Sequence, residues 1–432
     1  MARFSNHRSR TLDQAALPGA HTQPTWDNLL PTITHITDDP YPTYEWDISS
    51  TIPELAYSTH SFFRYYGKFP SVIARQLIRQ YPVPESGCVL DNFAGCGTTL
   101  VEAVLAGANS VGVELNPLGC LASKVKTTRY ETRQLRETWS KLRAQIQLAV
   151  HRGTVPETRA PNNAVWLHKW FDPAVVTSLA VLKDCVLDLP RGDVRDFFLL
   201  AFLAIVRRVS RAYDGEIRPH INPKKPVRDV FVAFERKAEQ MIQIADEFRT
   251  LTSSTCATRV ILADNRELAS VWPATTQCEL VISHPPYLNS FDYFPAYRLE
   301  FAWAEGVEDV WQGTDLPTLR SQEVRAWPAT NSALTERYFS SLAAGYKQVH
   351  GVMAPGGRLC VVVGDCTLRG EVIRVHKIVL NALVEMGLRV EAVNYRTTHY
   401  GVGKYAYSHR ADYHGNGDDG KRDAILVVRK PW

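Results

Sequence analysis

The sequence lacks the marks of several protein classes. Its eight cysteines form no C-x-x-C pair, which argues against a zinc site or a disulfide framework and predicts reduced, buried thiols. No apolar run reaches the roughly 18 residues that a membrane helix needs, and no signal-peptide segment is visible. We therefore expect a cytoplasmic protein that has no metal site and no contact with a membrane.

A strong net charge is also missing. The formal net charge is only +4, although 22% of the residues are charged. This balance neither requires nor excludes a polyanionic partner, so local clusters of charge matter more than the total. With 432 residues, of which 45% are hydrophobic, the chain can bury a large core and could hold two to three domains.

Residues 88–107 predict a buried strand, a glycine-rich turn and a helix. The turn follows Asp91 and contains Gly95 and Gly97, but Leu100 stands where a dinucleotide-binding turn has its third glycine. No Gly-Lys-Ser/Thr follows, so the turn is not a P-loop. The glycines allow a ligand to approach the backbone closely. A second short strand ends at Glu114, which is placed to accept hydrogen bonds from ribose hydroxyls.

The α/β pattern stops after residue 129 and resumes near residue 256. The intervening residues 130–255 have helical periodicity and predict an all-α insertion. Strands then follow at 258–264, 278–283, 358–365, 388–395 and 423–429. The first of these ends at Asp264, an acceptor suited to an adenine amine. The last two strands lack a crossover helix, which predicts an antiparallel hairpin closing a mostly parallel sheet.

The sequence Ser283-His284-Pro285-Pro286-Tyr287 stands at the end of a predicted strand. Two adjacent prolines force the chain to leave the sheet and fix the directions of the nearby carbonyl groups. A rigid carbonyl acceptor can hold a planar exocyclic amine, and a tyrosine ring offers a stacking face for an extruded base. The alternative interpretation is a turn that only ends the strand.

The glycine-rich turn and the Pro-Pro-Tyr motif together resemble those of the S-adenosylmethionine-dependent DNA amino-methyltransferases, which methylate cytosine N4 or adenine N6. That family usually has Asp-Pro-Phe-x-Gly-Ser-Gly-Thr-Thr, whereas this chain has Asn92 for the proline and Cys96 for the serine. The resemblance covers roughly residues 60–126 and 258–430. It implies an α/β, class I (Rossmann-like) methyltransferase fold with a seven-stranded, mostly parallel sheet.

The resemblance also implies roles for individual residues. The catalytic segment would be Ser283 to Tyr287, although His284 departs from the family's Asp, Asn or Ser. An aromatic segment before the helix at 71–81 resembles one that packs against the methionine end of the cofactor; a cover for the sheet edge is an equal alternative. The cofactor S-adenosylmethionine would bind Lys68, Phe69, Asp91, Phe93, Ala94, Gly95, Gly97, Thr98, Glu114, Leu115, Asn116 and Asp264.

Two basic segments are candidates for contact with nucleic acid. One contains Arg207, Arg208, Arg211, Lys224 and Lys225, and the other contains Tyr400, Lys404 and Tyr405. Cations interleaved with aromatic side chains suit phosphate contact and base stacking, but a solvated surface has the same composition. We expect residues 1–50 to form an N-terminal arm, 51–129 with 256–432 to form the catalytic domain, and 130–255 to serve recognition.

The continuation after Tyr287 favours cytosine N4 over adenine N6, and the absence of a Pro-Cys dipeptide disfavours methylation at carbon 5. We expect duplex DNA as the partner, with the target base flipped out, in a restriction-modification or phage-defence system with a cognate endonuclease. An RNA methyltransferase of the guanine-N2 type, or a non-catalytic nucleic-acid-binding protein on the same fold, remains an alternative. The sequence does not define the oligomeric state.

Overall fold

The computed structural model describes residues 26–153, 161, 164–272, 276–288, 292–324, 332–368, 370–398 and 423–432. The strands within these residues are β1 Thr32–Thr37, β2 Thr43–Ile48, β3 Cys88–Asp91, β4 Asn109–Glu114, β5 Thr258–Leu262, β6 Cys278–Ser283, β7 Met353–Gly364, β8 Cys366–Leu368, β9 Glu371–Ile373, β10 Arg389–Thr398 and β11 Asp423–Arg429. Strands β8 and β9 form a separate small hairpin.

The other strands build one sheet in the order β1-β2-β10-β11-β7-β6-β3-β4-β5. Strands β5, β4, β3, β6 and β7 are mutually parallel, and β11 runs antiparallel between β7 and β10. The hairpin predicted for the last two strands is therefore confirmed. Leaving out β1 and β2, this is the seven-stranded order of the class I methyltransferases, and the predicted fold class is confirmed.

Two further strands lie in the segment that we expected to be an arm. Strand β2 pairs in parallel with β10, and β1 pairs with β2 and forms the edge of the sheet. Alternate residues of β2 point to one face, where Trp46 and Ile48 are fully buried against helix residues such as Val72. Residues 32–48 therefore belong to the sheet, while residues 1–25 lie outside the described part of the chain.

Helices cover both faces of the sheet. Their bounds are α1 Ser71–Gln80, α2 Thr98–Leu105, α3 Pro117–Thr127, α4 Thr132–Arg152, α5 Ala164–Trp170, α6 Pro173–Leu187, α7 Asp193–Val209, α8 Val230–Leu251, α9 Leu268–Val271, α10 Tyr293–Ala296, α11 Arg298–Trp303, α12 Glu308–Trp311, α13 Leu316–Gln322, α14 Ser332–Val352 and α15 Val375–Glu385. None of the described helices is both long enough and apolar enough to span a membrane.

Helices α4 to α8 occupy the segment predicted to be an all-α insertion. Their buried side chains, such as Phe197 and Phe202, share one apolar core with Leu121 of α3 and Trp303 of α11. The insertion is therefore packed directly onto the α/β part of the chain. The division into domains at residues 129 and 256 stays a prediction.

Candidate active site

An open cleft of about 830 Å³ lies at the carboxyl ends of β3, β4, β5 and β6. Ligands of open α/β sheets bind at this edge, where the strand order reverses. Most of the predicted cofactor residues line the cleft: Lys68, Phe69, Asp91, Phe93, Ala94, Gly95, Thr98, Glu114, Leu115, Asn116 and Asp264. Tyr65, Asn92, Asn265, Tyr293 and Phe294 also line it and were not among the predicted site residues.

The glycine-rich turn between β3 and α2 needs its glycines for two reasons. Gly95 and Gly97 have φ angles of 52° and 80°, which favour glycine over other residues. A Cβ atom on Gly97 would also lie 2.9 Å from Oγ of Ser123. Gly97 does not line the cleft. The close neighbour of this glycine is Ser123 of α3.

Glu114 ties the tip of β4 to the turn. Its Oε2 accepts a hydrogen bond from the backbone N–H of Gly95 at 2.6 Å, and its Oε1 accepts one from Asn116 at 2.7 Å. The side chain of Asn116 in turn caps α3 by accepting from Leu118 at 3.0 Å. Burial raises the pKa of Glu114 to about 7, because it outweighs the two amide hydrogen bonds that favour the charged form.

Two further ionisable groups of the cleft have shifted pKa values. Burial raises the pKa of Asp91 to about 6 and lowers the pKa of Lys68 to about 8. Asp91 accepts from the backbone N–H of Phe93 at 3.1 Å, which closes the turn after β3. Acids and cations with pKa values shifted toward neutrality are common at binding sites.

Asp264 lies at the cleft and is held by its own loop. Its Oδ1 accepts from the backbone N–H and from Nε of Arg266, both at 2.9 Å, and its Oδ2 accepts from Nη2 of the same arginine. Arg266 also donates to the carbonyl of Gln322 at 2.6 Å. The carboxylate is therefore fixed in place, and its predicted contact with adenine stays a prediction.

The acceptor motif contributes His284 and Pro286 to the wall of the cleft. The His284 ring lies between two aromatic rings, with centroids 5.0 Å from Phe69 and 5.2 Å from Tyr287. Tyr287 is only 7% exposed and does not line the cleft. Its hydroxyl accepts from Nη2 of Arg396 at 3.4 Å, and a Cβ on Gly364 would touch its ring. The Tyr287 ring is thus packed behind His284.

Helix α14 holds the same motif from the other side. Tyr338 donates to the carbonyl of Pro286 at 2.7 Å, and the hydroxyls of Tyr346 and Ser283 lie 3.3 Å apart. Ser283 is fully buried and Pro285 is buried, so neither side chain lines the cleft. Tyr338 and Tyr346 were missed from the sequence, although a spacing of eight residues places them on one face of a helix.

The structure separates the basic residues predicted to contact nucleic acid. Arg207 is only 6% exposed, and it donates to the carbonyls of Glu216 and Ile217 at 2.9 and 3.1 Å. Lys225 has a side chain that is 4% exposed and donates to the carbonyl of Ala212 at 2.6 Å. Both cations form hydrogen bonds inside the protein, so neither is placed to bind phosphate. The prediction that Arg207 and Lys225 contact nucleic acid is therefore corrected.

The remaining basic candidates stay predictions. Arg208 and Lys224 are exposed, and Arg211 is half-buried beside Asp172 at 3.7 Å. Tyr400, Lys404 and Tyr405 lie outside the described residues. In the described part of the chain, the exposed candidates therefore come from the end of α7 and the loop before α8.

Comparisons with known proteins find similarity to DNA methyltransferases. Residues 19–124 match the model of a family described as DNA methylase. The type II methyltransferase M.MvaI of Kocuria varians is 31% identical over 165 residues, which are 37% of this chain and 36% of that protein. M.BsoBI of Geobacillus stearothermophilus, another type II methyltransferase, is 22% identical over 274 residues, or 58% of this chain and 53% of that protein.

A search of solved structures also finds TrmN from Thermus thermophilus, which is 11% identical with a TM-score of 0.31 and covers 84% of this chain and 50% of that one. The chain spans about half or less of the length of the two curated relatives. The strand order, the glycine-rich turn and the sequence matches agree with one another, and residues 19–124 are similar to the DNA methylase family.

Proposed function

We propose that the protein transfers a methyl group from S-adenosylmethionine to an exocyclic amine of a base in DNA. The observation that carries this proposal is one cleft lined both by the glycine-rich turn and by His284 and Pro286 of the acceptor motif. A cofactor bound along β3 and β4 would place its reactive end next to His284. The two curated relatives are both type II methyltransferases, which supports DNA as the substrate.

The residues of the cleft fit S-adenosylmethionine. Glu114 offers carboxylate oxygens at the tip of β4, where ribose hydroxyls can donate to them. Gly95 has no side chain, so a ligand can approach the backbone there. A Cβ at this position would also lie 3.3 Å from the Tyr65 ring.

The acceptor side positions the amine. A neutral His284 accepts one amine hydrogen through a ring nitrogen, and the Pro285 carbonyl accepts the other. Both contacts hold the amine hydrogens, localise the lone pair on the nitrogen and aim it along the line of attack. After transfer, the nitrogen gives up one of these hydrogens as a proton to the ring nitrogen of His284. S-adenosylmethionine, when bound, supplies the electrophilic methyl group. The protein's contribution is mainly orientation, which can supply much of the rate enhancement.

The finer features of the function are also proposals. The target base leaves the duplex to reach the cleft, and cytosine N4 is preferred over adenine N6. Arg208, Arg211 and Lys224 contact the DNA backbone. The enzyme acts in the cytoplasm and protects host DNA in a restriction-modification or phage-defence system, with a cognate endonuclease acting in trans.

A non-catalytic function is the second candidate, because His284 replaces the usual acceptor of the motif. One experiment separates the candidates. The purified protein is incubated with methyl-labelled S-adenosylmethionine and either duplex DNA or RNA, and the product is digested to nucleosides. Label in N4-methylcytosine supports the proposal in full, and label in N6-methyladenine changes only the base. Label in RNA alone, or DNA binding without label, overturns it.

A further inference from the structure

Asn92 is a buried polar residue that the proposed reaction leaves without a role. It follows Asp91 at the end of β3, is only 1% exposed and lines the cleft. Neither Oδ1 nor Nδ2 of its side chain has a hydrogen-bond partner among the described residues. The related motif has proline at this position, which offers no side-chain donor or acceptor.

An unpaired buried amide is costly. Leaving a buried polar group without a partner destabilises the folded state, so such groups call for an explanation. Asn265 is a second unpaired amide at the cleft, but a Cβ on Gly345 would lie 2.9 Å from its Oδ1. The Asn265 side chain is therefore packed against α14.

The neighbours of Asn92 define the chemistry it can recognise. Asp91, which precedes Asn92 in the chain, and Lys68 line the same cleft, so a carboxylate and an ammonium group are available there besides the amide. An amide both donates and accepts. A ligand end that carries one positive and one negative group, such as an α-amino carboxylate, would satisfy all of these side chains together.

We propose that Asn92 binds the amino-acid end of the cofactor, with Oδ1 accepting from the α-ammonium group and Nδ2 donating to the carboxylate. This inference rests on the proposed use of S-adenosylmethionine. The two amide atoms are closed to solvent in this structure, so contact requires a rotation of the side chain toward the cleft. That rotation breaks no hydrogen bond, because neither atom has a partner among the described residues.

The test compares ligands with and without the amino-acid end. Isothermal titration calorimetry measures the affinity of wild type, Asn92→Leu and Asn92→Ala for S-adenosylhomocysteine and for 5′-methylthioadenosine, which lacks that end. We expect both variants to bind S-adenosylhomocysteine at least about tenfold more weakly. Their affinity for 5′-methylthioadenosine should stay within about twofold of wild type, since the nucleoside does not reach Asn92.

Thermal unfolding of the ligand-free proteins separates binding from structure. Asn92→Leu keeps the size of the side chain and removes the unpaired amide, so its melting temperature should equal or exceed that of wild type. Loss of stability in both variants would assign Asn92 a structural role and overturn the inference. Unchanged affinity for S-adenosylhomocysteine would overturn it as well. If wild type binds neither ligand, the proposed function itself fails, which is a different result.

Discussion

The hydroxyl of Tyr338 donates a hydrogen bond to the carbonyl oxygen of Pro286 over 2.7 Å. This contact joins the middle of a long helix to the segment that carries the acceptor residues. It fixes the direction of the peptide group that follows Pro286, and with it the path of the chain on which His284 stands.

Tyr338→Phe should therefore loosen the acceptor segment. Urea unfolding should show a loss of stability of about 1–2 kcal/mol, because one partly buried carbonyl loses its partner. Methylation should slow while affinity for the cofactor stays unchanged. Tyr346→Phe is the matched control, since its hydroxyl lies 3.3 Å from Ser283 in a weaker contact. Equal losses in both variants would show that the Pro286 contact has no special role.

His284 can be tested by replacing its hydrogen-bonding capacity. His284→Asn keeps an acceptor and should retain methylation, whereas His284→Phe keeps an aromatic ring between Phe69 and Tyr287 and should lose about a hundredfold or more in rate. Both variants should bind S-adenosylhomocysteine like wild type. A His284→Phe variant with the normal single-turnover rate would remove His284 from the mechanism.

Gly97→Ala tests how closely the glycine-rich turn packs against α3. A methyl group at this position meets Ser123, with the Cα atom of Ser123 only 3.0 Å away. Gly107 is a matched control, because its φ of 73° is also positive but nothing lies within 4 Å of its added Cβ. Gly107→Ala should cost about 1 kcal/mol from backbone strain alone. Gly97→Ala should cost clearly more in denaturant unfolding, and equal costs would refute the crowding.

Glu114 should make the stability of the fold depend on pH. Its pKa rises from 4.5 to about 7 on folding, so the folded state holds a proton between these values that the unfolded state has released. The contribution of Glu114 to stability is therefore fully present below about pH 4.5 and falls by on the order of 1–3 kcal/mol toward pH 7. Across this window, the plot of unfolding free energy against pH should be flatter for Glu114→Gln than for wild type. Equal slopes would mean that Glu114 is charged throughout.

Arg208 and Lys224 are the exposed members of the basic cluster that was predicted to contact nucleic acid. If each contacts one phosphate, Arg208→Ala and Lys224→Ala should each reduce the slope of log K against log salt by about 0.9. Fluorescence anisotropy with duplex DNA at several salt concentrations measures this. Arg133→Ala is the control, because Arg133 is a solvated arginine of α4. An unchanged slope for all three would place the DNA contact elsewhere.

Much of the fold followed from local patterns in the sequence. The turn after Asp91, the helices at 132–152 and 193–209, and the antiparallel pair at 389–398 and 423–429 all have clear signals over short windows. Residues 32–48 did not, because the apolar alternation of β2 spans only Tyr44, Trp46 and Ile48. Their pairing with a strand near the other end of the chain supplies the order that their own sequence does not.

The burial of Arg207 could not be predicted for a similar reason. From the sequence, it is one of a cluster of basic residues at the end of a helix. In the fold it donates to the hydroxyl of Tyr66 and to the carbonyl of Ala296, which come from distant parts of the chain. Such partners are set by tertiary packing, and composition gives no sign of them.

The pairing of β2 with β10 has a consequence for how the protein is made. The Glu45 carboxylate accepts a hydrogen bond from the Thr397 hydroxyl at 2.9 Å, although the two residues are 352 positions apart. During synthesis, β2 leaves the ribosome long before β10 has been made, and long-range pairing of this kind forms late. Fragments that stop before β10 would carry β2 with an open edge, ready to pair with another chain.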